Sequence, residues 1–227
     1  MFSPRFAFFA FLTLALALST PVEARPVSVA VVGDSLANDL GNGMEDIFAG
    51  KPVRVIKQTK FATGLVRTDY FNWNATVRNA LQHGDANILV VVIGGNDHQA
   101  IRVNGRRLDP LSNAWRAEYA RRVAHFMKTV KHSRAKLYWV GLPDVRSPKL
   151  ARGYRAMNQI FKREAAKHGF AYVDIWNKFH APDGAYSSFG KSLEGVKRRI
   201  RKEDGMHFTE PGRKLFAAYV ARAIGLR

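Results

Sequence analysis

The chain has 227 residues, no cysteine, and 36 Lys and Arg against 18 Asp and Glu, a formal net charge of +18 at pH 7. That length suits one domain with a sizeable core, and the absence of cysteine excludes disulfide staples, thiolate metal sites and a cysteine nucleophile. A field this positive either attracts polyanions, such as acidic polysaccharide, anionic wall polymer, lipid headgroups or nucleic acid, or serves as a solvated surface.

At the N-terminus, Arg5 precedes the apolar run Phe6 to Leu18, interrupted only by Thr13, and small residues follow up to Ala24. This is the pattern of a secretory signal peptide. The apolar core is shorter than the roughly 20 residues of a spanning helix. Cleavage is expected after Ala24, giving a signal peptide over residues 1–24 and one domain over 25–227, periplasmic or secreted. No later segment is long and apolar enough to span, so no transmembrane anchor is expected after processing. The removed segment carries one charge of each sign, Arg5 and Glu23, so the mature domain keeps +18.

Short apolar, β-branched runs recur at Val27 to Val32, Val53 to Ile56, Ile88 to Ile93, Leu137 to Val140 and Ala171 to Ile175. Such continuous runs predict strands buried on both faces. Amphipathic stretches lie between them, clearest at Ala114 to Val130 and Leu150 to Lys167, and Pro211 opens a last periodic run through Leu215, Phe216, Tyr219 and Val220. The β-α alternation predicts a parallel sheet of about five strands with helices on both faces. Asn177 to Gly205 is one long irregular segment, of the kind that forms lids or binding loops, with a partly helical stretch expected around Leu193 to Arg201. Its basic residues Lys197, Arg198, Arg199, Arg201 and Lys202 are candidates to attract an anionic polymer.

Ligands of open parallel sheets bind beyond the carboxyl ends of the strands, so the residues after each predicted strand carry the search. Gly33-Asp34-Ser35-Leu36 follows the first, with Ser35 at a helix start where backbone N–H groups favour negative charge. Phe61-Ala62-Thr63-Gly64-Leu65 follows the second, and Gly94-Gly95-Asn96-Asp97 the third. Taken singly, these are ordinary caps and turns. Asp204-Gly205-Met206-His207 precedes the last helix. Its three-residue spacing lets the carboxylate hold one imidazole nitrogen while the other faces a nucleophile, which a serine needs because it is too weak an acid to attack unaided. His98, beside Asp97, lies near the same edge.

These four blocks, in this order along the chain, resemble the SGNH (GDSL-type) hydrolase family across essentially the whole mature sequence. Gly64-Leu65-Val66-Arg67 with Asp69 to Trp73, and Asp183 to Tyr186, resemble an exported bacterial branch of it. The resemblance implies a flavodoxin-like three-layer α/β/α sandwich and ester hydrolysis through an acyl-enzyme. It implies catalytic residues Ser35, Asp204 and His207, and an oxyanion hole from the backbone N–H of Ser35 and Gly64 with the side chain of Asn96. The nucleophile elbow of α/β-hydrolases fits less well, because position 37 is Ala and the serine follows the first strand.

Gly33-Asp34 and Gly95 to His98 are loosely similar to metal-binding blocks of two-metal phosphoesterases, but Ser28 to Val32 offers no Asp or His ligand. No metal or cofactor is expected. The expected substrate is an acylated carbohydrate or other ester, with O-acetyl groups favoured by export, charge and the aromatic residues Tyr70, Trp73, Tyr186 and Phe189. A lipid-type thioesterase or lysophospholipase is the alternative enzyme, and a non-catalytic polyanion-binding periplasmic protein the alternative outside enzymes. An anionic polymer is a candidate partner for the basic surface, and no specific nucleic acid is expected.

Overall fold

The computed structural model describes residues 26–82 and 86–227. The expected signal peptide and its cleavage point lie outside the described residues. In chain order the elements are β1 (Val27–Gly33), α1 (Ser35–Ile47), β2 (Val53–Thr59), α2 (Trp73–Gln82), β3 (Ile88–Val92), β4 (Ile101–Val103), β5 (Arg106–Leu108), α3 (Asn113–Val130), β6 (Lys136–Val140), α4 (Pro148–His168), β7 (Ala171–Val173), a 3-10 turn (Trp176–Phe179), β8 (Phe189–Lys191), β9 (Lys197–Arg199) and α5 (Glu210–Ala223).

Every apolar run read as a strand enters one parallel sheet, in the order β2-β1-β3-β6-β7. Counting these strands alone, the order is 2-1-3-4-5, the flavodoxin-like arrangement, whose direction of growth switches between β1 and β3. Those two central strands are buried on both faces, as their unbroken Val, Ile and Leu content requires. Helix α1 packs on α5 to form one outer layer, and α3 packs on α2 and α4 to form the other. The helices start where capping chemistry allows. Asp34, Ser112, Ser147 and Thr209 each accept from a backbone N–H of the first turn, and Pro148 and Pro211 occupy first-turn positions where a missing N–H costs nothing.

Two antiparallel hairpins stand outside this frame. β4 and β5 are joined through Asn104 (φ 47°) and Gly105 (φ 76°), the paired left-handed conformation of a tight hairpin turn. β8 and β9 replace the helical stretch expected around Leu193 to Arg201. The reason is local: Gly195 at φ 78° reverses the chain, and Ser192 N–H bonds the Val196 carbonyl at 2.8 Å, so Lys197–Arg199 returns alongside Phe189–Lys191.

Candidate active site

Gly33 ends β1 at φ 148°, where a Cβ would lie 1.8 Å from the Val92 carbonyl oxygen of β3. Only glycine fits there, and the next residue exploits the close approach. Asp34 caps α1 by accepting from Leu36 N–H through Oδ1 at 3.0 Å, while its Oδ2 accepts from Gly94 N–H at 3.0 Å and Gly95 N–H at 2.8 Å. Burial pushes this carboxyl up to about 6, against the opposing pull of those three N–H groups. The start of α1 is thereby locked to the loop after β3. Ser35 stands on that start, 7% exposed, at the switch in strand order.

The loop after β2 is locked to the same place from the other side. Asn96 Nδ2 donates to the Thr63 carbonyl at 2.9 Å. Asp97, fully buried, accepts from Leu65 N–H at 2.8 Å, Val66 N–H at 2.9 Å and the Tyr119 hydroxyl at 2.8 Å. A Cβ at Gly64 would sit 2.1 Å from Asp97 Oδ1, so Gly64 admits the carboxylate to the backbone it holds. Burial raises the Asp97 carboxyl, with the Leu65 and Val66 N–H groups and Tyr119 opposing. Gly64 and Asn96 therefore sit on interlocked loops at the sheet edge that carries Ser35. One N–H of the Asn96 amide is taken by Thr63, which leaves the second to donate elsewhere.

His207 comes from the turn before α5. Its Nε2 lies 2.8 Å from Ser35 Oγ and its Nδ1 lies 2.6 Å from Asp204 Oδ2. Asp204 Oδ1 also accepts from the N–H groups of Met206 and His207, at 2.8 and 3.0 Å. Partial burial opposes its ionisation, but the bond from the His207 ring and the two N–H groups outweigh it and hold the carboxyl at about 2. An ionised carboxylate only accepts, so the proton resides on Nδ1 and the Nε2 lone pair faces the Ser35 hydroxyl.

Three side chains fix the turn itself. Asp39 of α1, its carboxyl raised by burial, accepts from Phe208 N–H at 2.9 Å. Tyr154 of α4 donates to the Gly95 carbonyl at 2.7 Å and touches Met206 Sδ at 3.5 Å. Arg201 donates to the carbonyls of Met206 at 2.7 Å and Asp144 at 2.9 Å, with its guanidinium 3.8 Å from the Phe208 ring centroid. Burial lowers this arginine to about 10. At 1% exposure it does not belong to the surface charge of the basic loop, where the sequence placed it.

Ser35, His207 and Asp204 are thus brought into one hydrogen-bonded relay, with Gly64 and Asn96 at the same edge. His98 is not part of it: its ring packs against Gly153 of α4, and burial, Lys149 and Arg152 lower its affinity for a proton. Of the aromatic residues expected near the site, Tyr70 and Phe189 are exposed, whereas Trp73 is buried with its Nε1 on the Thr63 hydroxyl at 3.1 Å. Sequence reasoning missed the clamping roles of Asp34, Asp39, Asp97 and Tyr119. For Asp34 and Asp97 the visible signal was a carboxylate within each of the first and third glycine blocks. Among the described residues no group of three or more His, Asp and Glu is placed to hold a metal ion.

Over residues 28–223 the chain matches the model of a family described as "Protein of unknown function (DUF459)". No curated protein matches it. The structure is similar to a protein described as a candidate SGNH hydrolase from Slackia heliotrinireducens, with TM-score 0.61 and 18% identity over 88% of this chain and 100% of the other. It is also similar to a catalytic mutant of an acetylxylan esterase from Geobacillus stearothermophilus, with TM-score 0.60 and 15% identity over 88% and 95% of the two chains. A GDSL-like lipase from Bacteroides thetaiotaomicron aligns with TM-score 0.54 and 14% identity over 89% and 91%. At these identities the likeness is one of fold.

Proposed function

The chain belongs to the DUF459 family and has the SGNH hydrolase fold, and we propose that it is a serine ester hydrolase working through an acyl-enzyme at Ser35. The observation that carries this reading is the unbroken relay from Ser35 Oγ through His207 to Asp204, at 2.8 and 2.6 Å. As Ser35 Oγ attacks the ester carbonyl carbon, His207 Nε2 takes its proton, and Asp204 stabilises the imidazolium without taking a proton itself. The carbonyl oxygen becomes an oxyanion, received by the N–H groups of Ser35 and Gly64 and the second amide N–H of Asn96. Collapse breaks the C–O bond, and His207 protonates the departing alcohol. Water then gives its proton to His207 and attacks the acyl group, which releases the acid and restores the Ser35 hydroxyl.

The substrate class is an O-acetyl or other short-acyl ester on cell-envelope or extracellular carbohydrate. This is supported by the export pattern at the N-terminus, by the exposed Tyr70 beside the Gly64 loop, and by the fold shared with an esterase named for acetylxylan. The protein works in the periplasm or outside the cell, cut after Ala24. Among the described residues no helix is long and apolar enough to cross a membrane.

A fluorophosphonate should label Ser35 in the purified protein, and Ser35→Ala should abolish both labelling and p-nitrophenyl acetate hydrolysis. Full hydrolysis by Ser35→Ala, or complete loss on adding chelator alone, would overturn the reading. Rates that climb with acyl chain length would move the substrate to lipid-type esters instead.

A further inference from the structure

Beside the two interlocked loops a cavity of about 750 Å³ opens among Val66, Arg67, Gln99, Arg102, Arg107 and Arg122. Arg67 follows Gly64 by three residues and Gln99 follows Asn96 by three, so its wall continues the loops assigned to the oxyanion. Gln99 is held there by its own amide on the Asn96 carbonyl at 2.7 Å and by Trp115 Nε1 on its carbonyl at 2.7 Å. The lining carries four arginines and one carboxylate, Asp69, which makes the cavity strongly positive.

The charges are placed against their own electrostatics. β4 and β5 pair so that Ile101 faces Leu108 and Arg102 faces Arg107. Strand alternation sends the first pair into the core and the second to the cavity side. Like charges directly opposite one another destabilise a hairpin. Arg107 Nε is answered by Asp109 at 2.8 Å, but Arg102 has no hydrogen bond or ion pair to any described residue. Arg122 donates through Nη1 to the Leu65 and Val66 carbonyls and through Nε to Glu118. Its second terminal nitrogen makes no hydrogen bond to the described residues, so it can meet a ligand.

We propose that this cavity binds a carboxylate of the substrate at Arg102 and Arg107, making the substrate an acylated acidic polysaccharide of uronate type. The acidic sugar sits among the arginines while an ester on the same chain reaches Ser35. Guanidinium forks match carboxylate and phosphate alike, and the other lining residues choose between their sources. Only Val66, Ala100 and Pro110 are apolar, too few for a lipid acyl channel, and no aromatic ring is present to stack a nucleic-acid base.

The inference takes the ester from the proposed function, but the anion site is measurable without turnover. Ser35→Ala protein is titrated calorimetrically at physiological salt with a short oligogalacturonate and with a neutral xylo-oligosaccharide of equal length. The acidic oligomer should bind and the neutral one should not. Arg102→Gln with Arg107→Gln should weaken binding about 100-fold, roughly tenfold per charge-assisted contact. Removing the like-charge pair should leave the unliganded melting temperature equal or higher, which separates lost binding from lost folding. Lys197→Gln with Arg198→Gln, equal in charge but on the exposed β8–β9 hairpin and outside the cavity lining, should change affinity less than about threefold, since exposed charges that do not touch the ligand are screened.

Equal losses from the two pairs, tighter binding of phosphatidylglycerol vesicles or of an oligonucleotide, or no binding of oligogalacturonate would each overturn the proposal. Oligogalacturonate binding that needs Arg102 and Arg107, in a protein whose Ser35 no fluorophosphonate labels, would remove the esterase reading and leave the anion site standing.

Discussion

Asp204 engages His207 through both carboxylate oxygens: Oδ2 takes the ring Nδ1 at 2.6 Å and Oδ1 takes the backbone N–H of the same residue at 3.0 Å. One side chain therefore sets both the ring's tautomer and the turn that presents it. Asp204→Ala should lower kcat on p-nitrophenyl acetate by about 100- to 10,000-fold, with KM little altered, because Asp204 does not reach the substrate. A fall of less than about fivefold would mean that the ring is oriented by something else.

Asn96 and Asp97 are neighbours with separable tasks. Asn96→Ala removes one donor to the developing oxyanion and should cost about 100- to 1,000-fold in kcat. Folding should suffer only the loss of the Thr63 bond. Asp97→Asn turns an amide donor toward N–H groups that need an acceptor, so it should cost about 2 to 4 kcal/mol of stability as well as activity. Urea unfolding alongside kinetics separates the two. Equal stability losses in both variants would deny Asp97 its role as the clamp of the Gly64 loop.

Ser35, Gly64, Asn96, Asp204 and His207 were legible because each belongs to a short block at a strand end or helix entry, and the strands declare themselves by unbroken apolar runs. What stayed hidden depends on long-range partners. Asp34 reads locally as a cap, and its grip on Gly94 and Gly95, 60 residues away, exists only once β1 lies beside β3. Leu193, Val196 and Ile200 repeat at helical steps, yet Gly195 turns the chain between them, and the hairpin wins. Arg201 sits in a run of basic residues, and only the Met206 and Asp144 carbonyls explain its burial. Asn104-Gly105 was a readable hairpin signal. The opposition of Arg102 and Arg107 needed the register as well.

The buried guanidinium of Arg201 binds the carbonyl just before His207, so it supports the relay from behind. Arg201→Met keeps the packing on Phe208 but leaves the Met206 and Asp144 carbonyls without their donor. Stability should fall by about 2 to 4 kcal/mol, and kcat should fall through loss of position while fluorophosphonate still labels Ser35 slowly. Unchanged kcat in a stable Arg201→Met protein would show that the His207 turn holds itself.

Asp34 gives the sharpest dependence on pH. Its carboxyl, pushed up to about 6 by burial, has an unfolded value of 3.8. Between those values the folded state holds a proton that the unfolded state has released, so folding stability from this group falls as pH rises. Its contribution is full below about 3.8, is lost as pH passes through about 6, and is constant above. The span corresponds to about 3 kcal/mol at 1.36 kcal/mol per pH unit. Asp34→Asn cannot titrate, and it presents an amide to the Gly94 and Gly95 N–H groups, so it should be less stable than the wild type throughout. The discriminating quantity is the slope. Urea unfolding from pH 4 to 7 should show the wild-type advantage over Asp34→Asn shrinking as pH rises to about 6. An advantage that stays flat or grows over that range would mean that Asp34 is ionised throughout, with its three N–H bonds outweighing burial.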